Sequence, residues 1–316
     1  MKRIQNKIAE SRWSLPATAA FAVLVWALNG AIVNQWWMQF ACFVLSCYMI
    51  VELNTTFVLM RTYSRMISCA YITLSCCSSF LFPEADGGIL SLCYVASFMP
   101  LFNSYQDKSA VGWTFYAFLS LGVASLLWVQ MLYFVPLTLL LATFCLRSMS
   151  GRTFMAAIIG LLTPYWFASV YFVLHNDFAT PLQHFMGLAE FKPLEMYTTA
   201  DGLANIYATL GLNRIIAFTF TMTLVVTGLV HYLRTKYKDK LNTRMYYDVF
   251  IVNTIAATTF LMLQPQHFDM LHRIIIANGS PIIAHYITHT RTYVTNISFL
   301  AMLAASIAIT VLNIFI

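Results

Sequence analysis

The chain has 316 residues, 60% of them hydrophobic and only 9% charged, with a net charge of +6. That leaves too little polar surface to cover a water-soluble globule of this length, so the expected solvent is lipid. Long uncharged runs without sustained alternation predict an all-α polytopic bundle rather than a barrel. All seven cysteines lie inside apolar runs with no Cys-x-x-Cys, which reads as packing residues and not as a disulfide frame or thiolate metal site.

Residues 1–16 form a basic, weakly amphipathic head carrying Lys2, Arg3, Lys7 and Arg12. The run Ala17–Val33 is longer than a signal-peptide core and ends in Asn34-Gln35-Trp36-Trp37, without a small-residue cleavage site, so it is expected to stay as a first span. Spans are then expected at about 17–34, 37–60, 66–82, 88–103, 111–127, 130–146, 153–174, 212–233, 246–264, 274–288 and 294–316, eleven in all. The pair at 111–127 and 130–146 follows from a stretch of 38 uncharged residues between Lys108 and Arg147. As one helix it would reach about 57 Å, nearly twice the ~30 Å hydrocarbon core, so the chain must cross, turn near Trp128-Val129-Gln130 and recross. The span at 274–288 contains Gly279-Ser280-Pro281, which is expected to interrupt it.

Alternating the loops with the N-terminus inside puts 15 of the 18 Lys and Arg residues on the inner side, leaving Lys192, Arg214 and Arg273 outside. This is the bias of a positive-inside protein, here expected in a bacterial cytoplasmic membrane, and it accounts for the basic charge without a nucleic-acid partner. One domain, 1–316, is expected, with a long outer loop, His175–Gly211, holding an interfacial helix at Pro181–Phe191. The basic inner loop, 234–245 within Arg234–Tyr247, is either a plain consequence of topology or a contact for anionic lipid.

Three constellations carry candidate chemistry. On the outer side, His175-Asn176-Asp177 and His267-Phe268-Asp269 with His272 bring imidazole and carboxylate together, enough to ligate a divalent ion or exchange a proton, though ordinary interfacial residues look the same. Asp177 and Asp269 are the candidate catalytic acids; His175, His184, His267, His272 and Glu52 are the candidate substrate-binding residues. His285-x-x-x-His289 shares one helix face but has no adjacent third ligand, so no metal site is assigned there and no cofactor is expected beyond a possible outer divalent cation. Glu52 lies either inside the membrane, where an ionisable group suggests function, or at an interfacial ramp, wet or paired with Arg61. No phosphate-binding loop, dinucleotide fingerprint, zincin or serine-hydrolase motif is present.

The stretch FYAFLSLGVASLLWVQMLYFVPLTLLL at Phe115–Leu141, with the preceding LSLCYVASFMPLFNSYQDKSAVGWTFYAF and the basic step at Arg147 and Arg152, resembles the paired short helices of polyprenyl-phosphate-dependent GT-C glycosyltransferases over roughly residues 60–175. The chain also looks like a multi-pass membrane family of Bacteroidota with no assigned function. The first resemblance implies a scaffold for a lipid-linked substrate; it implies no catalytic residue, because the loop Asn34-Gln35-Trp36-Trp37 lacks the acid that these enzymes carry in their first outer loop. The leading expectation is therefore handling of a lipid-linked glycan or lipid in cell-envelope biogenesis. The alternatives are a transporter or channel using Glu52 and the Gly279–Pro281 break, and a non-catalytic membrane subunit that needs a protein partner.

Overall fold

The computed structural model describes residues 3–177, 179–189 and 210–315. Thirteen α-helices account for them: α1 Ile4–Ala9, α2 Ser14–Leu28, α3 Trp37–Phe57, α4 Met66–Cys77, α5 Ala85–Asn103, α6 Val111–Leu127, α7 Phe134–Phe144, α8 Gly151–Leu174, α9 Ala179–Met186, α10 Leu212–Thr235, α11 Leu241–Leu263, α12 Phe268–His289 and α13 Tyr293–Phe315. Each sequence span finds a helix, and six are long and apolar enough to cross a membrane: α3, α5, α8, α10 with its extension to Lys238, α11 and α13. The others are shorter or less apolar; α4, at 12 residues, reaches only about 18 Å at ~1.5 Å per residue. The bundle's apolar perimeter fits lipid: Trp166 is 73% exposed, Leu174 74% and Phe315 84%.

At the centre lies α12, with 17 of its 22 residues buried. Helices α4, α5, α10 and α11 pack around it. Gly279 and Pro281 do not interrupt it, contrary to the sequence expectation. The glycine serves approach instead: a Cβ there would come within 2.7 Å of Val225 Cγ2, and one on Gly228 within 2.8 Å of Ile282 O, so α10 and α12 meet through two missing side chains. The α6–α8 interface works the same way, with Gly122 against Leu161 O and Gly160 against Phe115 O. Without a hydrophobic force between helices in lipid, such close contacts are a main source of association.

The uncharged stretch does return on itself. Gln106 N donates to Leu146 O at 2.8 Å and Ser150 Oγ donates to Lys108 O at 2.8 Å, which joins its two ends. Its turn, a short 3-10 segment at Val129–Tyr133, is covered by the segment around α9: His184 Nε2 donates to Ser125 O (3.0 Å), Gln130 to Gly187 O (3.4 Å) and Tyr133 Oη to Leu188 O (2.6 Å). A helix does form in the segment expected to hold one, at Ala179–Met186 instead of Pro181–Phe191, while residues 190–209 lie outside the described residues.

Segments assigned to the inner side meet at one end. Arg3 reaches Arg291 O, Gln5 Nε2 donates to Thr290 Oγ1 (2.7 Å), Ser64 Oγ donates to Ala9 O (2.8 Å) and Arg61 pairs with Asp239. The opposite end gathers Glu84, Arg214, Asp269 and Arg273.

Candidate functional site

The axial helix carries buried Asn278 and Ser280 in its middle, Asn278 donating to Tyr94 Oη at 2.8 Å, and gathers its ionisable groups at its two ends. At its N-terminal end, Asp269 accepts two hydrogen bonds from Arg214 (Nε–Oδ1 2.8 Å, Nη2–Oδ2 2.9 Å), and that guanidinium lies over the Phe80 ring. Arg273 donates to Leu81 O and stands 3.6 Å from Glu84. Burial raises the Glu84 carboxyl above its ordinary value, against the pull of Arg273. Arg214 and Arg273, the two cations among the described residues that the sequence assigns to the outer side, are therefore each matched by an acid, which makes Asp269 a structural counter-ion before anything else.

The outer sequence candidates separate in space. His175 Nδ1 donates to Tyr171 O within its own helix, and Asp177 accepts from Thr180 N (3.1 Å) and Thr180 Oγ1 (2.6 Å), capping the start of α9. His267 Nδ1 accepts from Trp128 Nε1 at 3.3 Å. His272 is fully buried against Phe80, Phe218 and Phe268 and hydrogen-bonds Ser78 Oγ at 3.0 Å, so it faces packed rings. Among the described residues no hydrogen bond or ion pair joins His175 or Asp177 to His267 or Asp269. Glu52 sits in the last turns of α3, accepting from Thr56 Oγ1 (3.2 Å); Arg61 is committed elsewhere, which removes the pairing that sequence allowed between them.

The other end of α12 holds what the sequence hides. His285 and His289 lie one turn apart on one face, with ring centroids 4.5 Å apart. Asp239, in the tight connection between α10 and α11, reaches them: its Oδ2 accepts from His285 Nε2 at 3.2 Å, and its Oδ1 stands 2.7 Å from Arg61 Nε. His231, on α10, lies alongside, 5.6 Å from His285 between ring centroids. The rings of Tyr232 and Tyr247 meet the His285 imidazole edge to face at 5.2 and 5.3 Å. The side chains of His285 and Asp239 are 0% and 1% exposed, and His289 is half-buried, so this pair belongs to the core of the bundle.

Local structure fixes each member. Asp239 N donates to Lys236 O, and its own carbonyl accepts from Arg244 Nε (2.9 Å), while Arg244 Nη2 closes the loop on Tyr237 O (2.6 Å). Arg244 of the basic loop, with the Lys236 carbonyl, thereby braces the backbone that presents this acid. Val58, in the left-handed region at φ 48°, ends α3 and redirects the chain so that Arg61 points inward. Burial alone would raise the Asp239 carboxyl, but the hydrogen bond and charge of His285, then Arg61 and His289, more than offset it and hold the group below its ordinary value. One carboxylate and two imidazoles converging in a buried place is a donor set for a divalent ion.

Two cavities flank this end. One, of about 400 Å³, is apolar and runs between α2, α4, α10, α12 and α13, with Trp13, Cys69, Leu224, Ile287 and Met302 on its walls. The other, of about 350 Å³, is polar and includes Asn54, Arg61, Ser64, Arg65 and Ser68. They touch adjacent faces of the first turn of α4. The chain matches no protein-family model, and no curated protein or solved structure matches it, so its chemistry has to be argued from this geometry.

Proposed function

We propose that the protein is an eleven-span, N-terminus-inside protein of a bacterial cytoplasmic membrane that holds an amphiphile with an anionic head group, a lipid or lipid-linked intermediate of cell-envelope biogenesis. The observation that carries this reading is the pairing of an apolar groove of about 400 Å³ with a two-arginine pocket of about 350 Å³ on either side of the start of α4. A tail belongs in the first, where walls such as Leu224, Ile287 and Met302 replace lipid; a phosphate belongs near Arg61 and Arg65, whose guanidinium groups suit its oxygens. The two sites are one helix diameter apart, about 10 Å, a distance a lipid spans easily. Support for the alternating topology comes from the contacts that join the head, residues 61–65, the Asp239 loop and residues 287–291 at one end. The GT-C-like reading is retained as a proposal for the scaffold only. The transport alternative loses its half-helices, because α12 runs unbroken through Pro281.

The test is lipid retention. Purified protein is extensively delipidated in mild detergent, and bound lipid is quantified by native mass spectrometry. The expected result is about one tightly held anionic amphiphile, lost in Arg65→Gln and reduced in Ala70→Trp, which fills the groove. A wild type that retains only exchangeable, uncharged lipid would remove the reading.

A further inference from the structure

We propose that Asp239, His285 and His289 form a binding site for one divalent transition-metal ion at the C-terminal end of the axial helix. The site stands on its own observations and does not depend on the lipid reading. First, each residue offers a ligand atom, and all three atoms lie within 4.8 Å of one another. Ligands of a tetrahedral zinc-like ion with ~2.1 Å bonds sit about 3.4 Å apart, and Asp239 Oδ2 and His285 Nε2 already stand at 3.2 Å. The remaining contraction falls to His289, the least confined of the three.

Second, the cluster contains imidazole nitrogens with nothing to bond. His285 Nδ1, His289 Nε2 and the neighbouring His231 Nε2 are all buried without a hydrogen-bond partner among the described residues. Buried polar groups are nearly always satisfied, and among these the His289 nitrogen belongs to a residue of the three-ligand group, so it is the one that points to an absent partner there. A cation that accepts lone pairs is that partner. A simple ion pair between Arg61 and Asp239 explains neither histidine on α12, and it leaves His289 Nε2 unused.

Third, the donor types select the ion. Two imidazoles and one carboxylate suit Zn²⁺, Co²⁺, Mn²⁺ or Fe²⁺, whereas Mg²⁺ and Ca²⁺ ask for an all-oxygen shell. Three protein ligands leave a fourth position open, the arrangement of catalytic and not of purely structural zinc sites. Arg61, 2.7 Å from Asp239 Oδ1, then neutralises the carboxylate when no ion is bound. Metal entry displaces that guanidinium from Oδ1, and Arg61 already lines the polar cavity beside it.

The experiment uses full-length protein carrying no polyhistidine tag, stripped with chelator and titrated with Co²⁺ in detergent. One equivalent is expected to bind with visible d–d absorption of a low-coordinate nitrogen and oxygen site. His289→Gln and His285→Gln are expected to bind at least tenfold more weakly and to lose that absorption, while Arg61→Gln keeps it. His289→Gln carries the test if the more buried His285→Gln fails to fold. The proposal is overturned if monodisperse wild type binds no stoichiometric Co²⁺, or if His289→Gln binds it with unchanged affinity and spectrum.

Discussion

The Arg61–Asp239 pair makes an asymmetric prediction, because its partners are buried to different extents: the arginine side chain is 31% exposed and the carboxylate 1%. Replacing Asp239 by Asn keeps the shape and leaves a guanidinium that can turn into the adjacent cavity, so the cost is that of a partly solvated pair, about 1–2 kcal/mol. Replacing Arg61 by Gln strands a carboxylate with no route to water. Removing one partner of a buried pair costs about 3–5 kcal/mol, which the surviving hydrogen bond from His285 lowers to roughly 2–4 kcal/mol. For a chain of this size 1 kcal/mol moves the unfolding midpoint by roughly 1.5 °C, so metal-free Arg61→Gln should lose about 3–6 °C and Asp239→Asn about 1.5–3 °C. The double variant should fall near Asp239→Asn, since it no longer buries a lone charge. Thermal unfolding in detergent at matched scan rates measures this. If Asp239→Asn is the more destabilised single variant, or the double variant loses the sum of both, the account of the buried carboxylate is wrong.

The depressed Asp239 carboxyl also sets a pH signature. Its contribution to stability is complete above the unfolded value of about 4 and is lost as pH falls through the lower folded value, so wild type should lose more stability than Asp239→Asn on going from pH 5 to pH 3. At the α6–α8 interface, Gly160→Val would push a side chain onto Phe115 O, and a loss of at least 3 kcal/mol, or failure to accumulate, is expected by analogy with overpacked cores; Gly151→Ala, where a Cβ meets nothing, should be neutral in the same unfolding assay. Cysteine at exposed Lys238 should react with an impermeant maleimide only from the cytosolic side, and cysteine at exposed Thr180 only from the other; the reverse pattern would invert the proposed orientation.

How much of this was legible in the residues differs between fold and site, for a physical reason. Lipid forces every backbone group into a helix, so hydropathy alone located the segments, and charge alone required the fold-back between Lys108 and Arg147 that Gln106 and Ser150 complete. The break expected at Gly279-Ser280-Pro281 did not form because helix neighbours decide what a glycine does: with Val225 of α10 so close, its missing Cβ serves packing and not a bend. The outer triplets looked like sites because His and Asp were adjacent in sequence, yet Asp177 turns to Thr180 and Asp269 to Arg214. Asp177 is satisfied within its own turn and Asp269 by a cation from α10, so neither is left for its triplet histidine. At the other end His285 and His289 lack a third ligand within their own helix, and the acid that joins them, Asp239, is 46 residues from His285 in sequence. Its place among Lys236, Lys238, Lys240 and Arg244 was the available signal, because a lone carboxylate surrounded by cations that could pair with it from solvent instead turns inward to Arg61 and His285. Burying that carboxylate beside three histidines is expensive in a protein whose chain otherwise avoids charge, and packing alone would have been served better by apolar residues of the same volume. The cost is intelligible if the group must accept a cation other than arginine, which is the same exchange that the Arg61 and His289 variants put to the test.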